Sequence, residues 1–467
     1  MTEERPTRTE TDSLGPIEVP DDALWAAQTQ RALANFDVAG RPFPIAVVHR
    51  VATIKQAAAT VNGSHPLIES VDSIIGAAIA AASSLVASGQ FDDQFLIDAF
   101  QTGSGTSTNM NVNEVIATLA TRSSGQPIHP NDHVNAGQSS NDVIPTAIHL
   151  AAMDAADRLT QTLELLATSL ESQAELHADT VKAGRTHLMD AAPVTVGLEF
   201  AGWAAQVRYH VTMIDAASAG LGTVALGGTA VGTGLNRPAG WASLVMDELG
   251  RLTGRALSAG ASPLAEQSDR SRLVAMSSSC RGVATTLCKV ANDLRLLGSG
   301  PFTGFGELVL PAVQPGSSIM PGKVNPVICE AVIQGCLSVF GKDATVGFAA
   351  ASGQLELTAT MGVMALDLLD SLDMMARAAA ALAIKCVDGI IVDDDQCRRN
   401  AERSPAILTA LVPELGYDVV AKAASRLAAD PTLQPAEALA AVGVEAQQLT
   451  DLAHLIDPAA LARPVDA

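Results

Sequence analysis

One segment concentrates the side chains that could carry out chemistry. Residues 316–326 read Gly-Ser-Ser-Ile-Met-Pro-Gly-Lys-Val-Asn-Pro. Two hydroxyls, one ammonium and one amide therefore lie on a stretch that its glycines and prolines keep irregular. Pro326 at a first helical position predicts a helix from Val327 to about Phe340. The start of that helix offers free N–H groups and partial positive charge to a carboxylate. The segment predicts a flexible loop that acts on an acid substrate.

The composition of the 467-residue chain narrows the classes of function. The formal net charge is −21, which repels nucleic acid and anionic lipid, so neither partner is expected. The same negative charge repels an acid substrate at long range, so the substrate-binding site must concentrate hydrogen-bond donors locally. Hydrophobic residues make up 48% of the chain but aromatic residues only 3%. This balance favours close-packed helices rich in alanine and leucine.

The cysteines and the N-terminus indicate a reduced, cytoplasmic protein. None of the six cysteines forms a C-x-x-C pair, so no zinc or iron–sulfur site is predicted, and the thiols are expected in the core. The first residues are charged and lack an apolar stretch, which argues against secretion. Residues 73–91 are uncharged but rich in small side chains, and they predict a buried helix rather than a membrane span.

Heptad patterns predict long helices that pack lengthwise. Three sets of apolar residues recur at steps of three and four, as in helices that interlock along one face. The sets are Leu159, Leu163, Leu166, Leu170 and Ala174; Leu273, Met276, Cys280, Val283, Leu287, Val290, Leu294 and Leu297; and Met361, Met364, Leu368, Leu372, Met375, Ala379 and Leu382. These residues are interpreted as core rather than as a cofactor site. Helices of this length need partners on several sides, so a homo-oligomer is expected.

The breaks between patterns divide the chain into three predicted domains. They are a mainly helical N-terminal domain (1–138), a central long-helix bundle (139–395) and a small helical C-terminal domain (396–467). Residues 1–13 are polar, charged and without periodicity, so they are expected to be disordered. The glycine-rich stretch 227–234 fits neither common nucleotide-binding pattern. It is interpreted as a tight loop near the site.

Several blocks of the chain together resemble the signatures of the fumarase/aspartase superfamily, and residues 316–326 are similar to the loop of class II fumarases. The other blocks lie at 101–114, 129–142, 184–191 and 227–236. The resemblance spans roughly residues 25–345. It implies an all-α, three-domain fold whose long central helices form a twenty-helix core in a homotetramer, with each active site built from three subunits. It also implies reversible hydration of fumarate to (S)-malate, with no metal and no other cofactor.

The resemblance implies a role for each site residue. Ser317 is the general base on a mobile loop, with its alkoxide stabilised by loop N–H groups and by Lys323. His187, tuned by Glu330, acts on the hydroxide side through a water. The implied substrate-binding residues are Ser104, Thr106, Ser139, Ser140, Asn141, Thr186 and Asn325.

Other polar residues have open interpretations. His129, Asn131 and Asp132 match a peripheral acid-binding site of fumarases, but an Asn/Asp turn between helices explains them equally well. His133 and His149 flank the signature blocks and are expected to be structural.

Two alternative functions stay open. Segments at 131–135, 311–314 and 353–355 lean toward aspartases, whereas those at 101–106, 139–140 and 321–323 lean toward fumarases and lie closer to the chemistry. Aspartate ammonia-lyase is therefore the second hypothesis. The family usually reads Glu-Leu-Asn in the central helix after its glycine, whereas here Glu356 and Leu357 are followed by Thr358-Ala359-Thr360. The third hypothesis is a catalytically silent helical scaffold, against which the complete set of catalytic residues argues.

Overall fold

Helices dominate the protein. The computed structural model describes residues 6–65, 68–430 and 432–462. Helices account for 63% of the protein, so the predicted mainly helical class is confirmed. The α-helices are α1 (Ala27–Asn35), α2 (Ile45–Ser64), α3 (Ser73–Ala87), α4 (Thr106–Ser124), α5 (Ser140–Leu176), α6 (Val196–Leu221), α7 (Trp241–Thr253), α8 (Pro263–Ser268), α9 (Ser271–Leu297), α10 (Val327–Ala351), α11 (Met361–Lys385), α12 (Asp394–Arg403), α13 (Val412–Leu415), α14 (Tyr417–Ala429), α15 (Pro435–Ala440), α16 (Ala446–Leu452) and α17 (Pro458–Leu461). Short helices of other types span Asp92–Gln94, Pro130–Val134, Val387–Gly389, Pro405–Leu411 and Ala453–Ile456. In the described ranges no helix has the length and apolar character needed to span a membrane.

Short strands in the described residues form four two-stranded sheets. The antiparallel pairs are β1 (Thr7–Asp12) with β2 (Gly15–Pro20), β3 (Val181–Thr186) with β4 (Met189–Thr195), and β7 (Leu308–Val309) with β8 (Ile391–Val392); β5 (Thr223–Val224) and β6 (Ser258–Ala259) pair in parallel. The sequence patterns did not predict these sheets; two of the four consist of two-residue strands, which are too short to show a period of two.

The first hairpin corrects the expectation that residues 1–13 are disordered. In β1, exposed and half-buried residues alternate, and the strand pairs along its whole length with β2. The guanidinium of Arg8 donates to the backbone carbonyls of Pro20 at 2.7 Å and Trp25 at 2.6 Å. These contacts tie the hairpin to the chain that follows it, and a polar segment gives no sign of them in advance. Residues 1–5 lie outside the described part of the chain.

The predicted heptad faces are buried in α5, α9 and α11. Every residue of the second set is at most 6% exposed, and every residue of the third at most 1%. The leucines of the first set are fully buried, while Ala174 is half-buried. The apolar period therefore identified the inner face of each long helix. The homo-oligomer expected from these faces stays a prediction.

Helix α10 begins at Val327, directly after Pro326, as predicted. It continues to Ala351 rather than ending near Phe340. Gly341 weakens the helix at that point, since an interior glycine costs about 1 kcal/mol relative to alanine. The alanine-rich residues that follow carry the helix on.

The prediction that the cysteines lie in the core is confirmed for five of them. All six are free thiols, and Cys288 is half-buried whereas the others are buried. Burial raises the pKa of Cys336 and of Cys397 to about 12 each. Most of these thiols therefore behave as small apolar side chains.

The chain forms two compact units. Unit 1 contains the described residues of Met1–Thr160, Thr212–Gly282 and Leu337–Met375; unit 2 contains those of Gln161–Val211, Val283–Cys336 and Ala376–Ala467. In unit 1, α2 packs against α3, α4 and α7. A Cβ on Gly76 of α3 would lie 2.7 Å from the Cα of Gly63 in α2, so the two glycines allow close approach of these helices. In unit 2, β3 packs against α12, and β4 against the helix at Pro405–Leu411. The division into three domains stays a prediction.

Candidate active site

Five predicted binding residues of unit 1 come from two signature blocks. We call Ser104, Thr106, Ser139, Ser140 and Asn141 the hydroxyl cluster. Thr106 begins α4, and its Oγ1 lies 2.8 Å from the Oγ of Ser104 and 2.7 Å from the Oγ of Ser140. Gly105 makes the preceding turn in the left-handed region at φ 75°, where a Cβ would meet Ile144 at 2.9 Å. The structure thus joins hydroxyls that are 34 residues apart in sequence.

A buried carboxylate, Asp142, fixes the backbone beside the hydroxyl cluster. Its Oδ1 accepts from the N–H of Ser139 at 3.0 Å. Its Oδ2 accepts from the N–H groups of Gly227 and Thr229 at 3.0 and 2.9 Å. Burial raises the pKa of Asp142 to about 6, although the three N–H donors and the charge of Lys55 oppose this shift. Asp142 therefore positions the cluster rather than binding substrate itself.

The glycine-rich stretch 227–234 lies beside the hydroxyl cluster, as expected. Asn141 donates from Nδ2 to the carbonyl of Ala230 at 2.9 Å. The N–H of Asn141 in turn donates to the Oγ of Ser139 at 3.3 Å. Thr229 adopts a left-handed φ of 53°, which turns its own N–H toward Asp142. The stretch is a structural loop that carries no phosphate-binding pattern.

Lys55 is a functional candidate that sequence reasoning missed. It is fully buried in α2, and its Nζ donates to the Oδ1 of Asn135 at 2.8 Å. The same oxygen accepts from Nδ2 of Asn109 and of Asn113, both at 3.2 Å. Burial lowers the pKa of Lys55 to about 7, and the charge of Asp142 opposes the shift. A lysine inside an apolar helical stretch is the signal that could have identified it.

The serine loop, which we define as residues 316–326, closes on itself. The Oγ of Ser317 accepts from the N–H groups of Ile319 at 3.3 Å and Met320 at 3.0 Å. Asn325 donates from Nδ2 to the carbonyl of Gly316 at 2.7 Å. A Cβ on Gly316 would lie 2.0 Å from the carbonyl oxygen of Lys323, so only glycine fits at the base of the loop.

His187 and Thr186 lie at the exposed tip of the β3–β4 hairpin. Thr186 ends β3, and His187 and Leu188 form the two-residue turn with φ values of 55° and 60°. Left-handed backbone at both turn residues is typical of a type I′ turn, which favours glycine and asparagine. Histidine and leucine are strained there, and strain of this kind clusters at functional sites.

A buried ion pair holds the strand that carries His187. Arg185 donates two hydrogen bonds to the carboxylate of Glu307, at 3.0 and 2.6 Å. Lys182 lies 3.4 Å from the same carboxylate, and Asn400 donates to it at 2.9 Å. Burial alone would raise the pKa of Glu307, but the bonds from Arg185 and the charge of Lys182 bring it below the usual range. No sequence pattern indicated Glu307, because its partners are far away in the chain.

The remaining predicted catalytic side chains, Lys323 and Glu330, are less restrained. Lys323 is exposed on the serine loop, and Glu330 is half-buried in the first turn of α10. Within the described residues of one chain, neither an ion pair nor a hydrogen bond joins Glu330 to His187. Their implied pairing stays a prediction.

The predicted peripheral acid site forms a capped turn. His129 Nδ1 accepts from the N–H groups of Asn131 at 3.3 Å and Asp132 at 3.2 Å. The same Nδ1 lies 3.1 Å from the carboxylate of Asp132. His133 accepts the N–H of His129 through Nδ1 at 2.9 Å, which agrees with a structural role. Acid binding at this turn stays a prediction.

The other expected structural histidine, His149, is buried in α5. Its Nδ1 lies 3.0 Å from the carbonyl oxygen of Leu221. Burial, together with the charge of Arg270, lowers the pKa of His149 to about 4. These features agree with the structural role predicted for His149.

Cavities and possible metal ligands do not single out another catalytic centre. A cavity of about 750 Å³ in unit 2 is lined by Arg185, Met189 and Arg403 but by none of the predicted catalytic side chains. Among the described residues, no group of three or more His, Cys, Asp or Glu side chains is arranged to hold a metal ion.

Comparisons with known proteins agree with these motifs. A family model described as lyase matches residues 15–341. The chain is 47% identical over 432 residues to fumarate hydratase class II of Corynebacterium efficiens, covering 92% of this chain and 90% of that protein. A recombinant class II fumarase from Schistosoma mansoni has a similar structure, with a TM-score of 0.94, 35% identity and coverage of 98% of this chain and 100% of that one. The fumarate lyase:delta crystallin from Brucella melitensis bound to cobalt has a TM-score of 0.93 and 41% identity over the same shares.

The hydroxyl cluster, the His187 turn and the serine loop all lie inside the range that the family model matches. The relatives match over nearly their whole length, and not over a shared core alone. The chain therefore belongs to the class II fumarate hydratase family of lyases.

Proposed function

We propose that the protein catalyses the reversible, metal-free hydration of fumarate to (S)-malate by trans addition, with Ser317 as the general base. The proton that must be removed from malate is on a carbon next to a carboxylate, so negative charge builds up and needs positioned donors. The observation that carries the proposal is at Ser317, whose Oγ accepts from the N–H groups of Ile319 and Met320. Two such donors stabilise the alkoxide that a serine base requires.

The other residues divide the remaining tasks. The hydroxyl cluster and Thr186 hydrogen-bond the substrate carboxylates and hydroxyl. Lys323 stabilises the carboxylate that takes up charge, and Asn325 braces the loop through Gly316 while its second N–H group is available to substrate. His187, assisted by Glu330, handles the departing hydroxide through a water.

The proposed assembly is a homotetramer with a twenty-helix core and active sites that three subunits share. In this assembly His187 of one subunit pairs with Glu330 of another. We also propose that the protein resides in the cytoplasm. Its six free cysteines agree with this compartment, because the cytosol keeps thiols reduced. Acid binding at the His129 turn remains part of the proposal.

Replacement of Ser317 by alanine tests the assignment of the base. We expect kcat to fall about 10²–10⁴-fold, the usual contribution of a general base, with KM nearly unchanged. Ser318→Ala is the matched control, because Ser318 is the next hydroxyl on the same loop, and it should keep most of the activity. Wild-type kcat in Ser317→Ala would reject the assignment.

The rival activities are separated by following the absorbance of fumarate. A hydratase consumes fumarate in buffer alone, whereas an aspartate ammonia-lyase requires added ammonia. A silent scaffold leaves the absorbance unchanged in both cases. Consumption that depends on ammonia would replace our proposal with the second hypothesis.

Metal dependence is tested by chelation. Dialysis against EDTA should leave kcat/KM within about twofold of the untreated value, because serine and histidine supply the acid–base chemistry. Inactivation that added divalent metal reverses would contradict the metal-free mechanism.

A further inference from the structure

Two buried cysteines of unit 2 lie side by side next to the serine loop. The sulfurs of Cys329 and Cys386 are 3.8 Å apart, and both residues are almost fully buried. Cys329 is the third residue of α10, and Cys386 directly follows α11. A disulfide bond is about 2.05 Å long, so the sulfurs would need to approach by only roughly 2 Å.

The surroundings make the two thiols unequal. A hydrogen bond between the two sulfurs, in which either thiol could be the donor, lowers the pKa of Cys329 together with the charge of Arg295. The same bond and burial raise the pKa of Cys386. In the described residues Arg295 has no carboxylate partner, and its buried Nε makes no hydrogen bond. Its charge is therefore available to a Cys329 thiolate, which the start of α10 also favours.

Both cysteines line a small cavity. It has a volume of about 10 Å³, and Cys329, Cys386, Pro326 and Val327 contribute to its lining. A space of this size holds about one water molecule. Hydrogen peroxide is one oxygen atom larger, so a small local movement admits it.

We propose that Cys329 and Cys386 form a reversible disulfide on exposure to a hydroperoxide, and that this bond restrains the start of α10 and lowers the activity of the serine loop. The claim about activity rests on the proposed function. Glu330 is the next residue after Cys329, and Asn325 lies four residues before it. A disulfide that shifts the first turn of α10 therefore displaces Glu330, the proposed partner of His187, and Asn325, which holds the loop closed.

The reaction balances with hydrogen peroxide as the oxidant. The Cys329 thiolate attacks one peroxide oxygen, the O–O bond breaks, and the hydroxide released takes up a proton to give water. The resulting sulfenic acid is attacked by the sulfur of Cys386. The S–S bond forms, and the second hydroxide leaves as water with the proton from Cys386. Two thiols and one peroxide give one disulfide and two waters.

The test treats the reduced, full-length enzyme with hydrogen peroxide and follows both the linkage and fumarate hydration. We expect peptide mapping to find Cys329 joined to Cys386. We expect activity to fall at least about tenfold, because small displacements of catalytic groups reduce the rate by such factors. Dithiothreitol should restore the activity. Linkage without loss of activity, or loss of activity without this linkage, would overturn the proposal.

Two alanine variants separate this pair from the other thiols. Cys386→Ala should keep the activity of the reduced enzyme and resist peroxide. Cys336→Ala is the matched control, since Cys336 is a buried thiol on the same helix, and it should be inactivated like the wild type. Protection by Cys336→Ala instead would refute the assignment. If the untreated wild type fails to hydrate fumarate, the proposed function fails, while the mapping still decides whether the disulfide forms.

Discussion

The hydroxyl cluster and the serine loop hold their polar groups in opposite ways. In the cluster, hydroxyls bond one another, and the buried carboxylate of Asp142 fixes the backbone on both sides of it. In the loop, the side-chain hydrogen bonds of Ser317 and Asn325 among the described residues stay within residues 316–326. The hydroxyl cluster is thus half-buried and rests on a fully buried carboxylate, whereas the proposed base lies on a largely exposed segment.

Substitutions around the hydroxyl cluster should therefore change the stability of the fold, whereas substitutions in the serine loop should change the turnover rate. A change in the network around Asp142 must leave polar groups buried without partners, which costs folding free energy. A change in the serine loop exposes nothing that the core depends on, so its effect falls on catalysis. Each of the following experiments tests whether the two regions separate in this way.

The largest effect is expected for Asp142→Ala. The change leaves three N–H groups without their acceptor and removes the charge that faces buried Lys55. We expect the free energy of unfolding to fall by about 3–5 kcal/mol, measured by urea denaturation. Asp132→Ala is the control, because the Asp132 side chain is 72% exposed, and a loss below about 0.5 kcal/mol is expected there. Equal losses in the two variants would mean that the Asp142 network is not a core element.

The next effect is a dependence of stability on pH. The folded-state pKa of His149 is about 4, below its usual value of 6.5. Its contribution to stability is therefore complete above pH 6.5 and is lost as the pH falls through 4, by about 3 kcal/mol in total. His149→Gln keeps a donor for the Leu221 carbonyl but cannot titrate, so its unfolding free energy should fall less than that of the wild type over this window.

Wild type and variant must be compared because Asp142, whose pKa is raised to about 6, titrates in the same pH range. Its protonation raises the unfolding free energy as the pH falls, which is opposite to the effect of His149. His133→Gln, at a half-buried surface turn, should retain the wild-type pH dependence. A pH profile that His149→Gln leaves unchanged would show that the buried imidazole does not govern this loss.

The smallest effects come from a matched pair of glycines. A Cβ at Gly103 would lie 2.0 Å from the carbonyl oxygen of Ala359, and a Cβ at Gly316 would lie 2.0 Å from that of Lys323. Gly103→Ala should lower the unfolding free energy by about 1–3 kcal/mol. Gly316→Ala should leave it nearly unchanged and reduce kcat about tenfold.

Gly341→Ala serves as the control for both, because a Cβ there meets nothing within 4 Å. The informative measurements are the urea midpoint and kcat of each variant. Destabilisation by Gly316→Ala as large as that by Gly103→Ala would erase the distinction between core and loop.

The sequence predicts well what depends on local pattern. The heptads of α9 and α11 identified their buried faces, because an apolar residue at every third or fourth position can only face one side of a helix. Pro326 marked the start of α10, and the signature motifs marked the segments that build the hydroxyl cluster and the serine loop.

The sequence predicts poorly what depends on partners far away in the chain. The β1–β2 hairpin, expected to be disordered, is anchored by Arg8 through backbone carbonyls that no pattern reveals. Asp142 was visible within a signature block, yet its role depends on N–H groups from residues 227–229. The turn at His187 lacks the residues that usually mark such turns, because the Arg185–Glu307 pair holds the strand instead.

The Glu307 carboxylate also sets a limit on how the chain can be shortened. It is fully buried, and it accepts from Arg185 of β3 and from Asn400 of α12. A chain truncated before α12 would lose one of these donors and the cover over β3, and the hairpin tip with His187 would lose its support. Tags, fusion partners and deletions are therefore best placed after α12 and never within it.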